Sequence, residues 1–337
     1  MEMETGGPTS GRKTVQAAMT DQRLFLGIDG GQSSTLALIG GSSGQIIGAG
    51  RGGPCNHAEI AEGRARFIGA VRQCVAEACA QAGFDPGLAH FESACCGFSG
   101  GPQSKESLLR EIIQVDRLVV ASDAWIALAG ALSGESGIAV IAGTGSIALG
   151  RNSAGQTAQA GGWGYIFGDE GSAFDMARQA LRASLRFEES WGPSTQLYEL
   201  FLAETGAPDA NDLLHRFYTG DYPRARVASY AKLVDRAARN GDAVARQILR
   251  KSAAGLIRIA DVVRAKIFSN SEPVRVAFIG GVFQSAMLLE DFRVGLSADG
   301  RTTVQPGAYP PAVGALFEAY RNSGIQCALP ATLELNK

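Results

Sequence analysis

The residues best suited to chemistry stand in two glycine-rich turns and near two aspartates. The first turn lies within Leu24-Phe25-Leu26-Gly27-Ile28-Asp29-Gly30-Gly31-Gln32-Ser33-Ser34-Thr35-Leu36-Ala37-Leu38-Ile39. The second lies within Ile138-Ala139-Val140-Ile141-Ala142-Gly143-Thr144-Gly145-Ser146-Ile147-Ala148-Leu149-Gly150. Each joins two short apolar runs, which predicts a tight β-hairpin. Glycine at the bend lets backbone N–H groups approach an anion, and Thr144 and Ser146 add hydroxyl donors. One such hairpin would be only a turn. Two copies predict a duplicated fold with both hairpins facing one ligand, and a polyphosphate suits them.

Three further stretches carry polar groups at telling places. Leu118-Val119-Val120-Ala121 reads as a buried strand ending at Ser122-Asp123, with a helix from Ala124. Asp123 thus stands at the carboxyl end of a strand, where open α/β sheets collect ligands. Ser122 or Asp123 can equally cap the helix, and position alone does not separate the two roles. Gly161-Gly162-Trp163-Gly164-Tyr165-Ile166-Phe167-Gly168-Asp169-Glu170-Gly171-Ser172 crowds five glycines around aromatics and two carboxylates. It suits a shaped binding loop with an aromatic wall, although Asp169 or Ser172 could simply cap the helix Ala173 to Arg186. The strand Val274–Ile279 runs into Gly280-Gly281-Val282-Phe283 and a helix from about Ser285. That pattern lets a ring or ribose pack on bare backbone, or it is a plain strand-to-helix turn.

Regular elements must position these groups. The chain has 337 residues, so two domains follow from the usual ~100–200 residues each. With 45% apolar and 19% charged residues and a net charge of −2, no overall field draws it to nucleic acid or anionic lipid. No apolar run approaches the ~20 residues that span a bilayer. Residues 1–21 lack an apolar segment, which excludes a secretory signal and predicts a disordered extension. Residues 24–50 read as a β-meander ending at Gln45-Ile46-Ile47. Apolar spacing predicts a helix from Ala58 to Ala82, for which Asn56 and Glu59 can form a capping box. Phe91–Cys96 reads as a buried strand leading into the polar loop at Ser99, Glu106–Val115 as a helix, and 196–267 as mostly helical, broken near Gly206 and Thr219–Pro223. A last helix spans Ala312–Asn322.

Several motifs fail on context. Gly6 to Thr14 nearly spells a Walker A loop, but Arg12 displaces Lys13 and no strand precedes it. Gly48-Ala49-Gly50-Arg51-Gly52-Gly53 matches G-x-G-x-x-G, yet Pro54 follows instead of a helix, so no dinucleotide site is expected. Cys55, Cys74, Cys79, Cys95, Cys96 and Cys327 form no C-x-x-C pair, and the three histidines are His57, His90 and His215. A zinc site is therefore not expected, and reduced thiols in the cytoplasm are.

The order of these motifs resembles the sugar kinase/hsp70/actin ATPase superfamily. Within it, Gly161–Ser172, Ala142–Ser146 and Asn56-His57 resemble the N-acetylglucosamine kinase branch of the BadF/BadG/BcrA/BcrD group, over residues 22–325. The resemblance implies an α/β fold of two RNase H-like domains around a central cleft. The domains would span 22–130 and 131–310, with 311–337 packing back on the first. It implies ATP and Mg²⁺ as cofactors and transfer of the γ-phosphate to the 6-hydroxyl of an amino sugar. Asp123 matches the base that deprotonates the sugar hydroxyl, and Asp29 the acid that holds Mg²⁺. Gly30, Gly31, Gln32, Ser33, Gly143, Thr144 and Gly145 match the nucleotide phosphate turns, and Gly280, Gly281 and Ser285 the adenosine side. Asn56, Ser146, Gly162, Trp163, Gly164 and Asp169 match sugar-contacting positions, and Ser99 borders the pocket. Animal members carry an aromatic where this chain has Ala58, so glucosamine and N-acetylmuramic acid stand beside N-acetylglucosamine as acceptors.

The partners implied are a small-molecule sugar and a second copy in a homodimer, with no nucleic acid and no membrane. An alternative in the same wider group is an ATPase that activates an iron–sulfur dehydratase or reductase. Those proteins need cysteines bridging a cluster between subunits, and Cys95-Cys96 lacks that spacing. A sugar-sensing regulator is a third reading, and no helix-turn-helix appendage or basic arm supports it.

Overall fold

The computed structural model describes residues 23–55, 61–99 and 105–326. The N-terminal extension, Asn56, His57 and Cys327 lie outside the described residues. The chain forms two compact units, one running to Ser133 and rejoined from Pro310, the other spanning Gly134–Tyr309.

The first unit is built on β1 (Leu24–Gly30), β2 (Thr35–Gly41), β3 (Ile46–Gly52), β4 (His90–Phe98) and β5 (Gln114–Ser122), in the order β3-β2-β1-β4-β5. β1, β2 and β3 pair antiparallel as a meander, whereas β1, β4 and β5 run parallel. Leu24, Phe25, Leu26 and Ile28 are buried, the continuous apolar reading of a strand covered on both faces. Because the three parallel strands end on one edge, the residues just past their carboxyl ends gather there. Gly30 pairs with Phe98, and Phe98 with Ser122, so Asp29, Ser99 and Asp123 share that edge.

Two departures from the sequence reading have clear causes. The third strand, read as ending at Ile47, continues through the glycine run to Gly52. A side chain at Gly50 would meet the Cys74 carbonyl at 2.0 Å, and one at Gly48 the Ala78 carbonyl at 2.2 Å. The glycines thus seat the helix Ala61–Ala82 directly on the sheet. The helix expected over Glu106–Val115 ends at Arg110, and Gln114 and Val115 already belong to β5. There Val115 packs against the core of the unit, as a β-branched residue does well on a sheet. On the other side, the C-terminal helix Pro311–Asn322 crosses the helix Asp123–Ala131 so closely that a side chain at Gly314 would meet the Ile126 carbonyl at 1.8 Å.

The second unit repeats the plan. β6 (Gly137–Ala142), β7 (Ser146–Arg151), β8 (Thr157–Gly161), β9 (Val274–Ile279) and β10 (Thr302–Pro306) form a sheet in the order β8-β7-β6-β9-β10. Again the first three pair antiparallel, and β6, β9 and β10 run parallel. The two edge strands, β8 and β10, were not expected from sequence, being short, part-exposed and polar; Pro306 is tolerated at an edge because it cannot donate to a neighbouring strand. The helix Ala243–Ile267 packs on this sheet, and Ala173–Glu188 packs against that helix. Between them the chain makes four shorter helices, Leu197–Thr205, Ala210–Phe217, Arg224–Ser229 and Ala231–Arg239. Their breaks fall at Gly206 and around 218–223, where the sequence places them. Among the described residues, no helix is long and apolar enough to cross a membrane.

Candidate active site

Each unit carries its own group of the expected residues. In the first, Asp123 opens the helix Asp123–Ala131. Ser122 occupies the capping position but makes no side-chain cap. The Asp123 carboxylate is held at both oxygens: the Ala124 N–H donates to Oδ1 at 2.8 Å, and the Ser99 hydroxyl donates to Oδ2 at 2.8 Å. Ser99 is itself fixed, its N–H donating to the Gly30 carbonyl at 3.3 Å. The Lys105 ammonium donates to the Ser99 carbonyl at 3.2 Å and lies 5.6 Å from the centre of the Phe98 ring. Lys105 is only 6% exposed, an unusual state for a lysine. Nothing in the sequence marked it, because a single Lys at the start of a short helix reads as surface.

Asp29 stands at the end of β1. Burial, reinforced by the negative charge of Asp123, pushes its carboxyl up from 3.8 to about 6. Among the described residues its side chain makes no hydrogen bond or ion pair. Two neighbouring carboxylates in a half-buried site are a strained charge arrangement that a cation relieves. Mg²⁺ is ordinarily held by one or two protein carboxylates together with substrate phosphates, so this donor set fits it. No cluster of three or more His, Cys, Asp or Glu able to hold a metal occurs among the described residues.

The first hairpin turn is closed by its own glycine. The Gly31 N–H donates to the Ser34 carbonyl at 2.9 Å, and the Cys55 N–H to the Gly31 carbonyl at 3.1 Å. Gly30 has no room for a side chain, which would meet the Phe98 ring at 2.2 Å. Gln32 and Ser33 are exposed at the tip and carry the donors available to an anion. Thr35 is buried, its hydroxyl on the Gly53 carbonyl at 2.7 Å and 2.8 Å from the Cys55 sulfur. That fixes the segment running toward Asn56.

In the second unit, the hairpin and the glycine-rich loop are laced together. The Gly143 N–H closes the turn on the Gly145 carbonyl at 2.9 Å, and the Ala173 N–H donates to the Gly143 carbonyl at 2.9 Å. Thr144 is exposed at the tip. The Ser146 hydroxyl donates to the Glu170 carbonyl at 2.8 Å, and the Gly162 N–H to the Ser146 carbonyl at 2.9 Å. Asp169, 3% exposed and in the left-handed region at φ 62°, accepts from the Ser146 N–H at 3.1 Å and from Arg224 at 2.5 Å. A side chain at Gly145 would strike both Arg224 and Asp169. Asp169 is therefore a brace between loop and hairpin. Ser172 caps the next helix, accepting from the Asp175 N–H at 3.1 Å. Gly162, Trp163 and Gly164 lead into a short helix, Gly164–Phe167, and Trp163 is 75% exposed. Arg224 was missed from sequence, since 55 residues separate it from Asp169 and no local pattern links them.

The Gly280-Gly281 turn lies against that hairpin. Gly280 adopts φ 111°, and a side chain there would meet the Ala142 carbonyl at 2.2 Å. Gly281 begins a 3₁₀ turn to Gln284, and the Ser285 hydroxyl is buried with no hydrogen-bond partner among the described residues. An orphaned buried hydroxyl is a mark of a position completed by something else, which fits an adenosine-side role.

Two sheets with one shared strand order, each carrying a glycine-rich hairpin between its first two strands, define an α/β protein of the RNase H-like, actin-like ATPase architecture. The chain belongs to the BadF/BadG/BcrA/BcrD ATPase family, which it matches over residues 26–319. It is 30% identical over 274 residues to an N-acetylmuramic acid/N-acetylglucosamine kinase of Clostridium acetobutylicum, covering 80% of this chain and 88% of that one. It is 27% identical to an N-acetyl-D-glucosamine kinase of Dictyostelium discoideum, with the same coverage of 80% and 88%. A solved structure of a candidate N-acetylglucosamine kinase from Chromobacterium violaceum superposes with a TM-score of 0.66 at 27% identity, over 87% of this chain and 98% of that one.

Proposed function

We propose that this protein is an ATP-dependent amino-sugar kinase that phosphorylates the 6-hydroxyl of N-acetylglucosamine. The observation that carries the reading is the Asp123 carboxylate, presented at the end of β5 with one oxygen on the Ser99 hydroxyl and the other on the Ala124 N–H. Such a carboxylate is oriented and acceptor-ready. The kinase relatives support the acceptor class, and the Clostridium relative keeps N-acetylmuramic acid beside N-acetylglucosamine; glucosamine is the third candidate.

In this reading Asp123 accepts the proton of the sugar hydroxyl as that oxygen bonds to the γ-phosphorus. The bond from the γ-phosphorus to the β–γ bridging oxygen breaks, and ADP leaves with its electron pair. Phosphoryl transfer depends on positioning and charge neutralisation more than on covalent chemistry. Gln32, Ser33 and Thr144 supply donors to the phosphate oxygens, and Ser285 with the Gly280-Gly281 backbone receives the adenosine. Asp29 would hold Mg²⁺, which would supply charge neutralisation on the phosphates. Asp169 shapes the sugar pocket through Ser146 and Gly162. Asn56, outside the described residues, belongs to the sugar side by resemblance. The homodimer, the cytoplasmic location and domain limits near 130 and 310 are part of this proposal and rest on the resemblance.

ADP release measured with N-acetylglucosamine, N-acetylmuramic acid and glucosamine tests it. Acceptor-dependent release, fastest with N-acetylglucosamine, is expected. Release that no amino sugar stimulates would overturn the assignment.

A further inference from the structure

A cavity of about 410 Å³ lies in the second unit among the helices Ala173–Glu188, Ala210–Phe217 and Arg224–Ser229. Its volume is that of a small-ligand pocket. Ring faces and aliphatic side chains form most of the wall, with Tyr165, Phe217 and Tyr222 among them. The Phe217 and Tyr222 rings pack with centroids 4.8 Å apart. The charged lining residues are Arg178, Arg182 and Arg224, and none is acidic.

The three guanidiniums are not equally engaged. Arg178 pairs with Asp175 at 2.7 Å and Arg224 with Asp169 at 2.5 Å. In both, the Nε–H is buried without a hydrogen-bond acceptor among the described residues. Arg182 makes no ion pair among the described residues. The wall therefore carries a positive charge in excess, beside rings that offer flat apolar contact. Guanidinium forks match oxyanions, and aromatic side chains stack on planar groups.

We propose that this cavity is a binding site for a small ring-bearing anion, a phosphate or carboxylate carried on an aromatic ring. The ring lies against the aromatic wall and the oxyanion meets Arg182, with Arg178 and Arg224 flanking it. The site is separate from the hairpin and its Gly280-Gly281 turn, but it shares Tyr165 and Arg224 with the support of Asp169. The Arg224 guanidinium lies 5.4 Å from the Tyr165 ring centre. An occupant therefore bears on the residue that braces the glycine-rich loop.

Isothermal titration of the full chain, without nucleotide or sugar, with phenyl phosphate, phenylacetate, phenylacetamide and inorganic phosphate tests this independently of the kinase reading. At least one aromatic anion should bind at one site per chain, about tenfold or more tighter than the neutral amide and than inorganic phosphate. The tighter of the two anions identifies the oxyanion. Arg182→Gln, at an exposed position, should weaken that binding roughly tenfold, the scale of one charge-assisted hydrogen bond. The proposal fails if neither aromatic anion binds at millimolar concentration. It fails equally if the amide or bare phosphate binds as tightly, or if Arg182→Gln leaves the anions' affinity unchanged.

Discussion

The two units share a strand plan and treat their carboxylates in opposite ways. In the first, Asp29 and Asp123 sit near one another, and among the described residues no cationic side chain pairs directly with either; the nearby buried Lys105 donates to a backbone carbonyl. In the second, Asp169 is more deeply buried, yet it is neutralised by Arg224 and hydrogen-bonded to the hairpin. A carboxylate with no cationic partner can receive a proton or a cation; one neutralised by a guanidinium holds shape. The same fold thus carries carboxylates without a cationic partner in one unit and a braced, glycine-moulded loop in the other.

That contrast can be broken by substitution. Arg224→Gln should have the largest effect on stability, because it leaves Asp169 buried and unpaired. The loss should approach ~2–4 kcal/mol, somewhat below that for a fully buried pair because the guanidinium is 39% exposed. Thermal melts should show it, and the double variant Arg224→Gln, Asp169→Asn should recover part of it. No loss from the single variant would remove Asp169 as a brace.

Asp29→Asn should act in the opposite direction on the ligand-free protein. A carboxyl with a folded pKa of about 6 and an ordinary value of 3.8 binds more protons folded than unfolded between those pH values. Stability from this group is therefore present at low pH and declines as pH rises from about 4 to 6, by up to about 3 kcal/mol. The variant should melt higher than the parent at pH 7.5 and no higher at pH 4, while losing Mg²⁺-dependent turnover. A lower melting temperature at pH 7.5 would show that Asp29 is not strained. Smaller still, Ser99→Ala should lower turnover about tenfold by releasing one Asp123 oxygen, a loss of roughly 1–1.5 kcal/mol, with melting nearly unchanged.

Much of the fold was legible because its central strands are unbroken apolar runs and its hairpins carry glycine at the bend. The parts that were not legible share a cause, in that their roles are set by neighbours distant in sequence. The glycines of β3 do not mark a strand until the helix Ala61–Ala82 is seen resting on them. Gln114-Val115 continues the preceding helical pattern, and only pairing with His90 and Phe91 of β4 makes it strand. In the candidate site, the place of Asp123 at a strand end was legible, whereas Asp29 was singled out only through the resemblance. Lys105 and Arg224 were not legible, since burial of one and the ion pair of the other exist only in three dimensions. The amides of Gly31 and Gly143 were expected to face a ligand, but they close their own turns.

The central claim is that Asp123 is the base in transfer of phosphate to an amino-sugar hydroxyl. Rapid-quench measurement of a single turnover by Asp123→Asn, with ATP and N-acetylglucosamine at saturation, tests it most directly. The account predicts a chemical step slowed ~10²–10⁴-fold with both ligands still binding as tightly as to the parent. A chemical step at the parent's rate would contradict it.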